Sequence, residues 1–213
     1  MAPRLERLAD QARLLAARLE KGALDVTCEA HDVRLSRVGW APLWSALTHV
    51  VQNAVDHGMQ SPEERLVAGK SPRSSLLLSA TDDGEAVQLI FADDGRGIDW
   101  DSLRRRALSR GLQADTHAHL VDALFASGIS TRDAATTVAG RGVGLSAVRA
   151  VVRRMGGSVV VTSEAGLGTR IELRIPHDQE ERHSARTSWA PPRAPSARPS
   201  SHPSSRPSSQ TIS

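Results

Sequence analysis

Apolar residues recur along the first stretch of the chain at Leu5, Leu8, Ala12, Leu15, Ala16 and Leu19. Steps of three and four place them on one face of a helix, which predicts a helix over residues 5–19 with a stop at Gly22. Short extended stretches follow at 25–30 and 32–35. Helical spacing returns between residues 42 and 57, where Leu43, Leu47, Val50, Val51, Ala54 and Val55 are apolar, and Gly58 closes it. Ser61-Pro62-Glu63-Glu64 reads as a helix start, with Ser61 as cap and Pro62 in the first turn. Strand-like runs at 75–80 and 86–92 flank the turn Thr81-Asp82-Asp83-Gly84 and predict a hairpin. Helices are predicted at 101–109, 116–125 and 142–155, the last opened and closed by glycines. A second hairpin pairs 158–163 with 169–175 around Glu164-Ala165-Gly166-Leu167-Gly168.

After Pro176 the periodicity stops. Ser, Pro, Arg and His dominate to Ser213, and Trp189 is almost the only large apolar group. Such a segment buries too little surface to offset its ordering entropy. The expected organisation is a folded domain over 1–177, with 1–38 as a lead-in helix and strands, and a disordered tail over 178–213.

Composition narrows the function. The 213 residues are 39% apolar, enough for one core, and 3% aromatic, with no Tyr. Net charge is +3 and the pI about 9.9, because nearly all cations are Arg; Lys occurs only at 21 and 70. Acids and bases alternate, with no cationic element interleaved with aromatics, so no nucleic-acid partner is expected. No apolar run approaches the ~20 residues of a membrane span, and the N-terminus carries no secretion core. The lone Cys28 excludes an internal disulfide. A cytoplasmic protein without membrane insertion is expected.

Four clusters could do chemistry. His49, Asn53 and His57 recur every four residues along one helix face, where an Asn oxygen can ligate Mg²⁺; a solvated face is the competing reading. Asp93-Asp94-Gly95-Arg96-Gly97-Ile98-Asp99 ends a strand. There a carboxylate can accept from a base amine while glycines let backbone approach the ring, or the run is simply an acidic turn into a helix capped by Asp99. Phe125-Ala126-Ser127-Gly128-Ile129-Ser130-Thr131 looks like a loop edge with a buried Phe and two hydroxyls. Gly140-Arg141-Gly142-Val143-Gly144-Leu145 precedes a helix, where free amides and the helix dipole attract phosphate, or it is a flexible hinge. It is neither a Walker A loop nor a dinucleotide fingerprint.

In this order the clusters resemble the ATPases of histidine kinases, gyrase and MutL. The wording His-x-x-x-Asn-Ala-Val-Asp-His-Gly, Pro-Glu-Glu-Arg, Ala-Gly-Lys, Asp-Asp-Gly-Arg-Gly-Ile-Asp, Gly-x-Ser-Thr and Gly-Arg-Gly-Val-Gly is most similar to CheA, the chemotaxis kinase, over about residues 5–176. The resemblance implies an α+β fold, the two-layer Bergerat sandwich, with a mixed, mostly antiparallel sheet carrying helices on one face. It implies ATP and Mg²⁺ as cofactors. Asn53 would ligate Mg²⁺ and, with His49, form the catalytic pair; His49 and His57 would face the triphosphate. Asp93 would accept from the adenine amine, in a pocket shaped by Gly95 and Gly97, and Arg106 would face phosphate. Residues 110–141 would be a lid hinged at Phe125. Arg141, Gly142 and Gly144 would meet phosphate, as could Ser130 and Thr131. Asp56, Ile98, Val143, Leu145 and Thr169 complete the implied ATP-contacting set.

The implied activity is two-component, chemotaxis-like phosphorelay: transfer of the γ-phosphoryl group to a histidine. Partners would be a histidine phosphotransfer domain, then a response regulator, with a chemoreceptor-coupling protein in the same system. Two features depart from the family. Ser146 stands where CheA sequences usually carry an acid, and the 213 residues include no phosphotransfer bundle, dimerisation hairpin or coupling domain. Transfer is therefore expected in trans. The alternatives are an ATP-gated protein-binding module without transfer and a Ser-directed kinase of the anti-sigma type.

Overall fold

A computed structural model describes residues 1–30, 33, 40–126 and 145–177. The stretch 32–35 lies outside them save Val33, as do 127–144, which carry Ser130, Thr131, Arg141, Gly142, Val143 and Gly144, and the tail 178–213.

Hydrophobic alternation builds a five-stranded sheet. Its strands are β1 (Leu24–Ala30), β2 (Ser74–Asp82), β3 (Ala86–Asp93), β4 (Ser158–Glu164) and β5 (Gly168–Pro176), in the order β1-β2-β3-β5-β4. Both predicted hairpins form, and only β1–β2 is parallel. Register aligns one face: Leu78 opposes Phe91, Leu89 opposes Leu173 and Val161 opposes Ile171, all buried. The other face carries Gln88, Arg170 and Glu172, linked by Gln88 to Glu172 at 3.1 Å and Arg170 to Glu172 at 2.6 Å.

The helices are α1 (Ala2–Arg18), α2 (Ala41–Asn53), α3 (Pro62–Val67), α4 (Trp100–Ser109), α5 (His117–Leu124) and α6 (Leu145–Arg154). Leu5, Leu8, Ala9 and Ala12 of α1, Leu43, Leu47 and Val50 of α2, and Val148 and Val152 of α6 join the apolar row of the sheet in one core. This is the two-layer, mixed and mostly antiparallel α+β arrangement. A smaller cluster, Leu103 and Ala107 of α4 with Ala114, Leu120 and Ala123, sits under α5. Asp99 caps α4 by accepting from the Ser102 amide at 2.8 Å, and Ser61 and Glu64 form a reciprocal capping box on α3.

One helix differs from its pattern. The predicted helix 42–57 is α-helical only to Asn53; Ala54–Gly58 is a π turn, closed by Met59 N to Ala54 O at 2.8 Å. The wider turn buries Val55 and Met59 together and leaves the Gly58 carbonyl to accept from Arg96 N at 2.8 Å. Single π turns are frequent at functional sites.

Candidate functional site

Asp93 is the last residue of β3 and lies on its core-facing row, after Leu89 and Phe91 and opposite Thr169. A carboxylate on that row is poorly hydrated, and burial raises its pKa to about 6. Backbone hydrogen bonds from Gly95 (2.9 Å to Oδ1) and Thr169 pull the other way.

Glycine backbone at Gly58 and Gly95 packs against this carboxylate, and two further glycines bring backbone close around the strand end. A Cβ on Gly95 would stand 2.2 Å from the Gly58 carbonyl oxygen and 2.8 Å from Asp93 Oδ1. One on Gly168 would stand 2.0 Å from the Asp93 carbonyl oxygen. Gly97 has φ +73, and its missing Cβ leaves room for the Glu164 carbonyl. The glycines thus weld the strand end to the π turn and to the β4–β5 hairpin. Ser163 organises the second joint: its Oγ accepts from Ile98 N at 2.8 Å and lies 3.0 Å from Thr169 Oγ1, while its carbonyl accepts from Trp100 Nε1 at 3.1 Å.

The π turn brings the second cluster to the same corner. Asn53, half-buried, has no side-chain hydrogen bond among the described residues, so its carboxamide is available to a ligand. Asp56 Oδ2 and His57 Nδ1 are 3.6 Å apart. His49 is turned along its own helix, with Nδ1 3.2 Å from Gln52 Oε1. Arg106 is half-buried in the last turn of α4, and Leu145 opens α6 against the main core. Phe125 is buried in that core with the Arg149 guanidinium 5.4 Å from its ring centre. The structure therefore gathers Asp93, Gly95, Gly97, Ile98 and Thr169 at one strand end, next to the turn that carries Asp56 and His57. Two surface depressions, of about 510 and 300 Å³, are lined by residues of α1, α2 and α3 and of the segments just after α1 and before α3, and include neither Asn53 nor Asp93.

A further group lies in the Pro-Glu-Glu-Arg and Ala-Gly-Lys runs, whose role the sequence does not reveal. Arg65, 2% exposed, grips Asp94 with both arms, at 3.1 Å to Oδ1 and 2.7 Å to Oδ2, and bonds the Ser71 carbonyl at 2.5 Å. Lys70 Nζ donates to the carbonyls of Asp94 (2.7 Å) and Gly95 (2.6 Å) and to Gln60 Oε1 (3.1 Å). Burial pushes Asp94 up, but hydrogen bonds from Arg65 and Ser75 and the Arg65 charge outweigh it and hold the carboxyl below its ordinary value. The available signal was compositional: α3 has no apolar stripe to bury, so a charge pair had to anchor it.

Among the described residues no helix is long and apolar enough to cross a membrane. Comparison with known proteins matches residues 42–179 to the model of the histidine kinase-, DNA gyrase B-, and HSP90-like ATPases. The chain is 37% identical over 166 residues to the chemotaxis protein CheA of Halobacterium salinarum, covering 75% of this chain and 25% of that protein. It is 35% identical over 166 residues to the gliding motility regulatory protein of Myxococcus xanthus, covering 75% and 21%. It thus spans about a quarter or less of these relatives. Among solved structures, full-length ShkA in complex with AMPPNP superimposes with a TM-score of 0.50 at 25% identity, over 79% of this chain and 29% of that one. The match spans the π turn, the Asp93 corner and the second hairpin alike, and the chain belongs to the histidine kinase-, DNA gyrase B-, and HSP90-like ATPase family, as a CheA-like histidine-kinase ATPase domain.

Proposed function

We propose that the chain binds Mg·ATP and transfers its γ-phosphoryl group to a histidine on a separate phosphotransfer domain, as the kinase module of a chemotaxis-like two-component system. The observation that carries this reading is Asp93: a core-facing carboxylate packed against Gly58 and Gly95, beside the π turn that follows Asn53, whose carboxamide makes no hydrogen bond among the described residues.

The chain's own groups divide the work. Asp93 accepts from the adenine amine, and Gly95, Gly97, Ile98 and Thr169 form the surroundings of the base. Asn53 offers a hard oxygen suited to Mg²⁺, with Asp56 and His57 alongside it. Bound there, the ion would supply charge neutralisation on the phosphate oxygens. His49 and His57 face the triphosphate, and Arg106, Ser130, Thr131, Arg141, Gly142, Val143, Gly144 and Leu145 serve phosphate binding from α4 and the segment before α6. Catalysis is then positioning plus electrostatics. The bond between the γ-phosphorus and the β–γ bridging oxygen breaks and a P–N bond to the acceptor imidazole forms. ADP leaves, and the imidazole's proton passes to solvent. A response regulator then takes the phosphoryl group; a receptor-coupling protein is a further expected partner.

The test is incubation with γ-labelled ATP and candidate phosphotransfer domains. Acid-labile label on the acceptor, absent with Asn53→Ala, supports the reading. ATP binding with no label on any acceptor contradicts transfer and leaves a nucleotide-gated binding module.

A further inference from the structure

The segment from Ser61 to Lys70 is held to the protein by polar contacts almost alone. Of α3 only Arg65 is buried, while Leu66 and Val67 are 62% and 91% exposed. An element kept for its share of the core would bury its apolar side chains. Its polar groups instead converge on three consecutive residues. Arg65 takes both carboxylate oxygens of Asp94, and Lys70 takes the carbonyls of Asp94 and Gly95. Glu64, from the capping box, takes the Arg96 guanidinium at 2.9 Å. Asp94 is also fixed from the sheet side by Ser75 N at 2.9 Å.

Those three residues determine where the preceding carboxylate points. Asp93 Oδ1 accepts from Gly95 N, so rotation of the peptide at Gly95 turns the carboxylate with it. Arg96 N is in turn bound to the Gly58 carbonyl of the π turn. Lys70 is held in place against its own solvation: burial and the nearby Arg65 charge lower its pKa, and Asp94 and Asp93 only partly restore it.

We propose that Arg65 and Lys70 are positioning residues of the base subsite, which fix the Asp94–Gly95 backbone and thereby set its preference for adenine over guanine. The inference rests on the nucleotide-binding reading above. Adenine presents an exocyclic amine to Asp93, whereas guanine presents an oxo group there, an acceptor set against a carboxylate. Only a carboxylate held in one orientation rejects the oxo group strongly. One free to turn aside loses contact with adenine and tolerates guanine.

The experiment measures the Kd values of Mg·ATP, Mg·GTP and Mg·ADP by calorimetry for the full chain, Lys70→Met and Asp94→Asn, with thermal melts to confirm folding. The expected result is that the ATP-over-GTP preference falls about tenfold or more in both variants, while the ATP-to-ADP ratio is unchanged because the phosphate contacts are elsewhere. If the three nucleotides weaken in proportion, or not at all, Arg65 and Lys70 are scaffold and the inference is overturned. Failure of the wild type to bind ATP would overturn the parent reading itself, a result distinguishable from the others.

Discussion

Asp93 should be a destabilising residue at neutral pH, and replacing it with Asn should make the fold more stable while removing its ligand. Its carboxyl moves from 3.8 to about 6 because the end of β3 directs it into the core-facing row. A displacement of that size corresponds to about 3 kcal/mol against the ionised folded state. The sign follows from proton linkage. Between about pH 4 and pH 6 the folded protein holds a proton that the unfolded chain has lost, so this group makes stability fall as pH rises through that window and level off above it. Asn carries no charge, and its oxygen can still accept from Gly95 N. Its amide cannot accept from the Thr169 backbone as the carboxylate does, which returns about 1 kcal/mol. The net gain for Asp93→Asn is therefore about 1–2 kcal/mol above pH 7, shrinking to zero or below by pH 4. Urea unfolding at five pH values, followed by the fluorescence of Trp40, Trp44 and Trp100, measures it; other carboxylates cancel in the difference between variant and wild type. A variant less stable than wild type at pH 8, or a difference independent of pH, would show that the Asp93 charge does not destabilise the fold.

Gly95→Ala should lower stability by about 1–3 kcal/mol, visible as a reduced melting temperature, because a methyl at that position overlaps the Gly58 carbonyl. Arg65→Ala should cost about 2–4 kcal/mol in urea unfolding. It strips Asp94 of its guanidinium partner and the Ser71 carbonyl of the Arg65 donor, although Asp94 keeps the Ser75 amide and, at 36% exposure, recovers some hydration. Leu103→Ala, at the centre of the cluster under α5, should cost about 2–5 kcal/mol. Because that cluster is separate from the main core, hydrogen exchange should speed up first in α4 and α5. Nucleotide affinity should fall below about pH 6, where Asp93 takes up a proton; calorimetric titration across pH 5–8 checks this, and a flat profile would contradict it.

Much of this was readable in the sequence, for physical reasons that differ by element. Apolar spacing located α1, α2, α4, α5 and both hairpins within a few residues, since each buries a single face and its period is local. Ser61, Pro62 and Asp99 marked helix starts because capping is a contact within one turn. The π turn was not readable. It depends on Gly58 meeting Gly95 and Arg96 N, a contact between distant segments with no local period. Nor was the parallel pairing of β1 with β2, because alternation says which face is buried and not which strand lies alongside. Nor was the pairing of Arg65 with Asp94, because Pro-Glu-Glu-Arg marks the residue but not a partner 29 positions away. Gly95 and Gly97 also leave room for the Gly58 and Glu164 carbonyls, close approaches between distant segments that no local pattern marks.

Calorimetry of Mg·ATP binding to wild type, Asn53→Ala and Asp93→Ala tests the nucleotide site at the end of β3. Micromolar binding by the wild type, lost in Asp93→Ala and reduced in Asn53→Ala only when Mg²⁺ is present, is the expected result. No binding by the folded wild type, or equal binding by all three proteins, would contradict the site at the end of β3.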